Sequence, residues 1–270
     1  MGDVIACANQ KGGVGKTTTV INLATYLALD QYRVLVVDLD PQGNATSGLG
    51  VDRAAGHQSI YPALVEGLAS DSLIKGTQIE GLWLIPSGRD LAGAEVELVD
   101  TPQRETRLLD ALAPLRASFD FILLDCPPAV GLLTVNALTA ADGVIVPIQC
   151  EYYALEGLSQ LLSTIDLVRD NLNPRLRVDG VLLTMFDART TLSSDVATEV
   201  RRHLGPTVFD TVVPRSVRLA EAPSYGRPIA RYSPESRGAQ AYRALAEEFV
   251  ARRHVPSRLG QLPTASVVSA

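Results

Sequence analysis

The sequence has few of the residues and patterns that mark several large classes of protein. None of its apolar runs approaches the roughly 20 residues that a membrane-spanning helix needs. It has only three cysteines, Cys7, Cys126 and Cys150, and their spacing fits neither a disulfide framework nor a zinc site. A strand-like run begins at Val4, which leaves no room for a signal peptide before it. We therefore expect a cytoplasmic protein whose cysteines are small buried residues.

Positive charge is scarce over the first two thirds of the chain, whereas arginine outnumbers the acidic residues over most of the last third. The net charge is −6, but residues 1–174 carry −11 and residues 175–254 carry +4, with 13 arginines in the second range. An arginine-rich third can present a basic face to a polyanion, or it can simply scatter solvated arginines over helices. Composition alone does not separate these two interpretations.

A glycine-rich stretch, A-N-Q-K-G-G-V-G-K-T-T-T, occupies residues 8–19. It follows a short apolar run and precedes an apolar-periodic segment, so it joins a predicted strand to the start of a predicted helix. This is the context that a phosphate-binding loop requires. The backbone N–H groups of Gly12, Gly13 and Gly15 can face phosphate oxygens, Lys16 can reach the β and γ phosphates, and Thr17 can offer its hydroxyl to Mg²⁺. The stretch predicts a nucleotide-binding loop.

This loop departs from the general phosphate-binding pattern at its start, where Gln10 replaces a glycine and Lys11 follows. A lysine so early resembles the deviant Walker A family, which includes the ParA/Soj partition ATPases, MinD and the nitrogenase iron protein. The resemblance implies that Lys11 reaches across a dimer interface to the phosphates of the other subunit's ATP, as an arginine finger does in trans. Two ATP molecules would then lie between two protomers.

Two aspartates, Asp38 and Asp40, follow a buried-type strand over residues 33–38. Carboxylates two residues apart at the end of a strand face the same way, toward the crevice where α/β sheets bind ligands. One can help to hold the Mg²⁺ shell, and the other can position the attacking water. The run D-L-D-P-Q-G-N-A-T-S-G-L-G is similar to switch I of the ParA/Soj branch. That resemblance implies that loss of Asp40 blocks hydrolysis and leaves nucleotide binding possible.

A third acidic strand end is found in F-D-F-I-L-L-D-C-P-P, which closes with Asp125 and two prolines. An apolar strand that ends in aspartate more than a hundred residues after the glycine-rich loop is the Walker B arrangement, and Asp125 would hold a Mg²⁺-bound water. The segment closely resembles the D-x-P-P switch II of the ParA family.

Repeated alternation of strand and helix predicts the fold. We expect a single doubly wound α/β domain over residues 1–254, with a mostly parallel sheet, helices on both faces and a P-loop NTPase site of the deviant Walker A type. Residues 255–270 contain no periodicity, which indicates a disordered tail. The sequence lacks an N-K-x-D motif that would select guanine, which favours ATP over GTP.

The predicted site residues fall into four groups. The catalytic residues are Lys11, Lys16 and Asp40. The nucleotide contacts are Lys11, Gly12, Gly13, Val14, Gly15, Lys16, Thr17, Thr18, Pro214 and Arg215, the last two by resemblance to the family's adenine-binding segment. The metal ligands are Thr17, Asp38 and Asp125. By resemblance to the ParA/Soj surface, Arg189, Arg215 and Arg218 contact DNA backbone, with Arg227, Arg231 and Arg237 as candidates to extend the patch.

The resemblance implies an ATP- and Mg²⁺-dependent partitioning protein of chromosomes or plasmids. ATP would drive a homodimer that binds double-stranded DNA without sequence preference, and slow hydrolysis, stimulated by a ParB-like centromere-binding protein, would release it. Alternatives are a MinD-like division regulator, disfavoured because the last residues form no basic amphipathic helix, and a nucleotide-switched scaffold without DNA binding. An iron–sulfur electron carrier and an amide-forming ligase are disfavoured because the cluster cysteines and an additional acid–base constellation are not evident.

Overall fold

An eight-stranded sheet runs through the protein, and its strand order is β3-β4-β2-β5-β1-β6-β7-β8. The computed structural model describes residues 1–52, 59–151 and 154–253, without the side chains of 154–156. All neighbouring strands are parallel except β3 and β4. The strands are β1 (Asp3–Cys7), β2 (Val34–Asp38), β3 (Lys75–Gly76), β4 (Leu82–Ile85), β5 (Phe121–Asp125), β6 (Gly143–Gln149), β7 (Arg177–Phe186) and β8 (Val208–Pro214).

Helices connect these strands and cover both faces of the sheet. They are α1 (Lys16–Leu29), α2 (Asn44–Gly48), α3 (Tyr61–Val65), α4 (Leu91–Glu97), α5 (Arg107–Leu112), α6 (Leu132–Ala140), α7 (Ala154–Asn171), α8 (Thr191–Leu204), α9 (Val217–Glu221), α10 (Ile229–Tyr232) and α11 (Arg237–Arg252). The parallel sheet with helices on both sides confirms the predicted doubly wound α/β fold.

Alternation along the buried strands divides the core into two layers. On β1, Val4 and Ala6 pack with α5, α6 and α7, whereas Ile5 and Cys7 pack on the opposite face with α1 and α11. Central strands that are buried on both faces read as continuous apolar runs, which is why β2 and β5 were recognisable in the sequence.

The register of the central strands fixes where the functional residues meet. Asp38, the last residue of β2, lies opposite Asp125, the last residue of β5, and Cys7 at the end of β1 lies on the other side of Asp125. The carboxyl ends of three adjacent parallel strands therefore share one edge of the sheet, directly below the loop that joins β1 to α1.

Two local features depart from simple sequence signals. Proline is common at the first position of a helix, but Pro102 lies in a turn: Gln103 takes a left-handed conformation with φ 56°, and α5 begins only at Arg107. The glycine-containing stretch after β2 holds the short helix α2, which begins directly after the left-handed Gly43 with φ 61°.

The predicted tail over residues 255–270 lies outside the described residues, and the domain boundary at 254 stays a prediction. Within the described ranges, no helix combines the length and apolar character needed to span a membrane.

Candidate nucleotide-binding and hydrolysis site

The glycine-rich loop turns sharply between β1 and α1. Gly13 and Gly15 take left-handed conformations with φ 74° and 93°, which a side chain would strain, and Lys16 begins the helix. Gly12 and Gly13 are exposed, and Thr17 and Thr18 are half-buried in the first turn of α1. The loop thus presents backbone N–H groups and the positive end of the α1 dipole to one surface, as phosphate binding requires.

Two polar residues that sequence reasoning missed hold this loop in place. The side chain of Asn9 donates to the carbonyl oxygen of Pro147 at 2.7 Å and accepts from the N–H of Lys11 at 2.9 Å. The hydroxyl of Thr184 in β7 is close to two carbonyl oxygens, of Val14 at 2.8 Å and Ile148 at 3.0 Å. The loop is therefore anchored to β6 and β7 as well as to its own strand and helix.

Both loop lysines have partners within the chain. Lys16 is buried, and its ammonium group donates to the carbonyl oxygen of Lys11 at 3.1 Å. The ammonium group of Lys11 lies 3.2 Å from a carboxylate oxygen of Glu151, and the two side chains are 42% and 48% exposed. Lys16 thus faces the interior of the loop, whereas Lys11 lies on the surface, where a second subunit could reach it.

Asp38 and Asp125 form a fully buried pair of carboxyl groups at the sheet edge. Burial raises the pKa of Asp38 to about 6, against hydrogen bonds from the hydroxyl and N–H of Thr46 and from the N–H of Asp40. Burial also raises the pKa of Asp125 well above its usual range, and the nearby charge of Asp38 adds to this effect. Burial of two neighbouring carboxyl groups disfavours their charged forms, and the positive charge of Lys16 opposes this effect at Asp125.

Asp125 carries the stronger indication of a metal contact. Neither of its buried oxygens has a well-formed hydrogen bond, although the side chain of Thr17 lies close enough to lower its pKa. Both oxygens of Asp38, in contrast, accept hydrogen bonds, Oδ1 from Asp40 and Oδ2 from Thr46. An unpartnered carboxylate beside a threonine hydroxyl suits Mg²⁺. The role of Asp38 as a metal ligand stays a prediction, and its hydrogen bonds argue for an indirect one.

The carboxylate of Asp125 and the hydroxyl of Thr17 are oxygen donors of the kind that Mg²⁺ prefers. Among the described residues, no three His, Cys, Asp or Glu side chains are arranged to hold a metal ion by themselves. Mg²⁺ commonly uses one or two protein ligands and completes its shell with water and substrate phosphates.

Asp40 lies next to this pair and is 7% exposed. Its Oδ1 accepts a hydrogen bond from the N–H of Gln42 at 2.9 Å, and the described part of the chain gives Oδ2 no hydrogen bond. Within the described residues, one carboxylate oxygen of Asp40 is therefore open to a further hydrogen bond.

A cavity of about 280 Å³ opens beside the glycine-rich loop. Its lining includes Gly15, Thr18, Met185, Pro214 and Arg215, so it brings together four residues that were predicted as nucleotide contacts from two distant parts of the sequence. Sequence reasoning missed Met185, whose φ of 52° turns the chain at the end of β7 toward this cavity.

The arginines predicted to contact DNA differ in their local partners. Arg189 is 87% exposed but binds the carboxylate of Asp187 through two hydrogen bonds, at 2.9 and 2.7 Å. Arg218 donates to Glu221 at 3.0 Å, the ion pair expected from their spacing. Arg215 is exposed, and no salt bridge involves it among the described residues.

A parallel α/β sheet, a glycine-rich loop before α1 and acidic ends on β2 and β5 together define a P-loop NTPase. Residues 2–178 match the family model described as an AAA domain. The chain is 56% identical to the sporulation initiation inhibitor protein Soj of Bacillus subtilis, over 93% of this chain and 99% of that protein. It is 53% identical to the chromosome partitioning protein ParA of Myxococcus xanthus, over 93% of this chain and 89% of that one. The chain belongs to the ParA/Soj family of chromosome-partitioning ATPases.

A solved structure extends the comparison to bound ligands. The cobyrinic acid a,c-diamide synthase from Mycobacterium smegmatis, with a bound ATP analogue and magnesium, superposes with a TM-score of 0.83 at 40% identity. The alignment covers 94% of this chain and 97% of that one. ATP and Mg²⁺, the ligands predicted here, are of the kind that this neighbour binds.

Proposed function

We propose that the protein is a Mg²⁺-dependent ATP hydrolase whose ATP-bound dimer binds DNA and partitions a chromosome or plasmid. The observation that carries the proposal is the fully buried carboxylate of Asp125, which has no well-formed hydrogen bond and lies close to the side chain of Thr17 and the charge of Lys16 at the start of α1. A desolvated carboxylate of this kind is costly unless a ligand completes it. Membership in the ParA/Soj family supports the same reaction.

Each residue of the site has a distinct part in hydrolysis. The N–H groups from Gly12 to Thr18 bind the phosphates, and Lys16 leaves the carbonyl of Lys11 to neutralise the β and γ phosphates. Thr17 and Asp125 would hold Mg²⁺, which would supply positive charge to the phosphate oxygens. The free oxygen of Asp40 orients the attacking water toward the γ phosphate.

Lys11 is the residue that makes hydrolysis depend on assembly. Its exposed ammonium group can leave Glu151 and reach a nucleotide bound by a second copy of the chain. A cation supplied in trans stabilises charge that develops on the transferred phosphoryl group. ATP then favours the homodimer, and hydrolysis to ADP weakens it, because the two nucleotides bind the dimer with different affinity.

DNA binding rests on exposed arginines of the last third of the chain. Arg215 is one candidate, because it is exposed at the cavity beside the glycine-rich loop and has no ion pair among the described residues. Arg227, Arg231 and Arg237 are likewise exposed without a salt bridge in the described ranges, whereas Arg189 and Arg218 would have to exchange Asp187 and Glu221 for phosphate. Contacts to phosphate carry no sequence information, and a dimer doubles their number.

Family membership supports two further parts of the proposal. A ParB-like centromere-binding protein stimulates hydrolysis and thereby releases the dimer from DNA. The protein accordingly acts in the cytoplasm and is associated with the nucleoid.

Binding to a random-sequence DNA duplex tests the proposal. The Asp40→Ala variant should hold the ATP state, bind DNA with ATP, and lose binding with ADP or raised salt. Arg189→Glu should weaken DNA binding and preserve the ATP-dependent dimer, because Arg189 is exposed and is not part of the cavity lining. Arg175→Glu, an exposed arginine just before β7 at the opposite edge of the sheet, is the matched control and should change little. An ATP-dependent dimer with no affinity for DNA would instead support a MinD-like regulator or a protein scaffold.

An amide-forming synthase is the second candidate, favoured by the similarity of this chain to the cobyrinic acid a,c-diamide synthase of Mycobacterium smegmatis. The Soj and ParA relatives are more similar to this chain, at 56% and 53% identity against 40%. ATP consumption that requires cobyrinic acid and an amide donor would favour the synthase, whereas phosphate release in their absence would favour the partition ATPase.

A further inference from the structure

Four buried residues at the carboxyl ends of β2 and β4 form a closed ring of hydrogen bonds. The N–H of Asp40 donates to Oδ1 of Asp38 at 3.2 Å, and the hydroxyl of Thr46 donates to Oδ2 of Asp38 at 2.7 Å. The N–H of Ser87 donates to the hydroxyl oxygen of Thr46 at 3.0 Å. The hydroxyl of Ser87 closes the ring by donating to the carbonyl oxygen of Asp40 at 2.6 Å.

The ring leaves its hydroxyl groups no freedom. Asp38 and Thr46 are 0% exposed, Ser87 is 5% exposed and Asp40 is 7% exposed. Rotation of either hydroxyl would leave a buried polar group without a partner, at a cost of about 1–3 kcal/mol. A fully satisfied buried network of this kind fixes a single arrangement of its members.

The group that the ring fixes is the backbone of Asp40. Its N–H is held by Asp38, and its carbonyl oxygen accepts from both Ser87 and the N–H of Gly43. The ring does not use the side chain of Asp40, and Oδ2 accepts no hydrogen bond within the described residues. The ring therefore sets the place from which this carboxylate meets a water molecule.

We propose that Thr46 and Ser87 are positioning residues for Asp40 in the hydrolysis reaction, an inference that rests on the proposed function. Within the described residues, neither side chain hydrogen-bonds to the glycine-rich loop, so neither contributes directly to phosphate binding. Loss of either hydroxyl should therefore lower kcat and leave nucleotide affinity in place. Displacement of a reacting group by a fraction of an ångström to 1 Å reduces the rate by roughly ten- to a hundred-fold.

The test compares kcat with nucleotide affinity in the full chain. Thr46→Val and Ser87→Ala remove one hydroxyl each, and Thr46→Ser restores the hydroxyl of Thr46. Thr25→Val is the matched control, because Thr25 is also 0% exposed and its hydroxyl donates to the carbonyl of Ile21 in α1 at 2.8 Å, away from the ring. Phosphate release under single-turnover conditions gives the rate, and a fluorescent ATP analogue gives the affinity.

We expect Thr46→Val and Ser87→Ala to lose ten- to a hundred-fold in rate, with nucleotide affinity within about two-fold of wild type. Thr46→Ser should recover most of the rate. Thr25→Val should keep the wild-type rate, even if it loses as much thermal stability as Thr46→Val or more. If Thr46→Val does not fold, Ser87→Ala decides the question, because it removes one hydroxyl from a slightly less buried position.

Three results would overturn the inference. Rates of Thr46→Val and Ser87→Ala equal to wild type would show that the ring does not position Asp40. A parallel loss in Thr25→Val would assign the effect to stability, and a raised Mg²⁺ requirement would assign it to the metal site. A wild-type protein that binds ATP and releases no phosphate would instead refute the proposed function, and this inference with it.

Discussion

Replacement of Glu151 by glutamine should strengthen the ATP-dependent dimer. In the free protein Glu151 holds the ammonium group of Lys11 at 3.2 Å. If Lys11 serves the nucleotide of a second subunit, it must first leave Glu151, so this ion pair opposes assembly. Glu151→Gln removes the charge that retains Lys11 and keeps a side chain of similar size.

The expected size of the effect follows from the exposure of the pair. With side chains 42% and 48% exposed, the pair lies in the range of surface salt bridges, about 0.2–1 kcal/mol. A symmetric dimer breaks two such pairs, so the variant should gain about 0.4–2 kcal/mol. Since about 1.4 kcal/mol is ten-fold in an equilibrium constant, the dimer dissociation constant should fall by roughly two- to thirty-fold.

Sedimentation or mass photometry with Mg²⁺ and ATP measures the dimer, in an Asp40→Ala background that blocks hydrolysis. The difference between Glu151→Gln and its parent should shrink at high salt, because exposed ion pairs are screened. Glu199→Gln is the matched control: it makes the same change in another exposed pair, with Arg202 and His203 on α8.

Two results would refute this reasoning. A weaker ATP-dependent dimer in Glu151→Gln would mean that Glu151 itself contributes to the dimer. An effect of Glu151→Gln that persists when Lys11 is replaced by alanine would mean that the ion pair is not its cause.

Three further predictions concern the rest of the chain. Glu248→Gln in α11 should lower the free energy of unfolding by about 1–3 kcal/mol at neutral pH, because the carboxylate accepts hydrogen bonds from two N–H groups of β8 at 2.7 and 2.9 Å. Burial acts to raise the pKa of Glu248, but these hydrogen bonds and Arg252 hold it below its ordinary value of 4.5. The contribution of the carboxylate to stability is therefore present above pH 4.5 and is lost as the pH falls through the pKa of the folded state. Free energies of unfolding from urea titrations of the variant and the wild type should converge in acid. Asp187→Asn should release Arg189 and strengthen DNA binding, with a plot of log K against log salt steeper by about 0.9 per released arginine, and an unchanged slope would count against a DNA contact by Arg189. Gly238→Ala should lower the thermal midpoint and weaken nucleotide binding, because the new Cβ would lie 2.7 Å from Cγ of Leu219, which lines the cavity beside the glycine-rich loop. A raised thermal midpoint would show that the higher helix propensity of alanine outweighs this close contact.

The elements that the sequence predicted well are those defined by residues close together in the chain. The glycine-rich loop is a run of consecutive residues, and Asp38 and Asp125 each end a continuous apolar strand. Parallel strands bring such ends to one edge, so their proximity could be expected without coordinates. The ion pair of Arg218 with Glu221 was equally predictable, since their spacing of three residues suits one helical turn.

The parts that could not be predicted depend on contacts between residues far apart in the chain. Ser87 meets Thr46 across 41 positions, and Thr184 reaches Val14 across 170. No local pattern distinguishes these hydroxyls from those of other serines and threonines. The ion pair of Arg189 with Asp187 is a different case, because the two residues are only two positions apart, so a local acidic partner for this arginine could have been expected from the sequence.

The charged groups of the site have partners within the chain that ATP and Mg²⁺ would replace or supplement. Lys16 donates to a neutral carbonyl oxygen, Lys11 is held by an exposed carboxylate, and Asp125 is buried without a well-formed hydrogen bond. Mg²⁺ with ATP would supply an anion for Lys16 and a cation for Asp125 at the same time, so the two ligands should bind with positive coupling. While Lys11 is paired with Glu151, its ammonium group makes no contact with the nucleotide of its own subunit. We therefore expect nucleotide binding and dimer formation to be two separate steps.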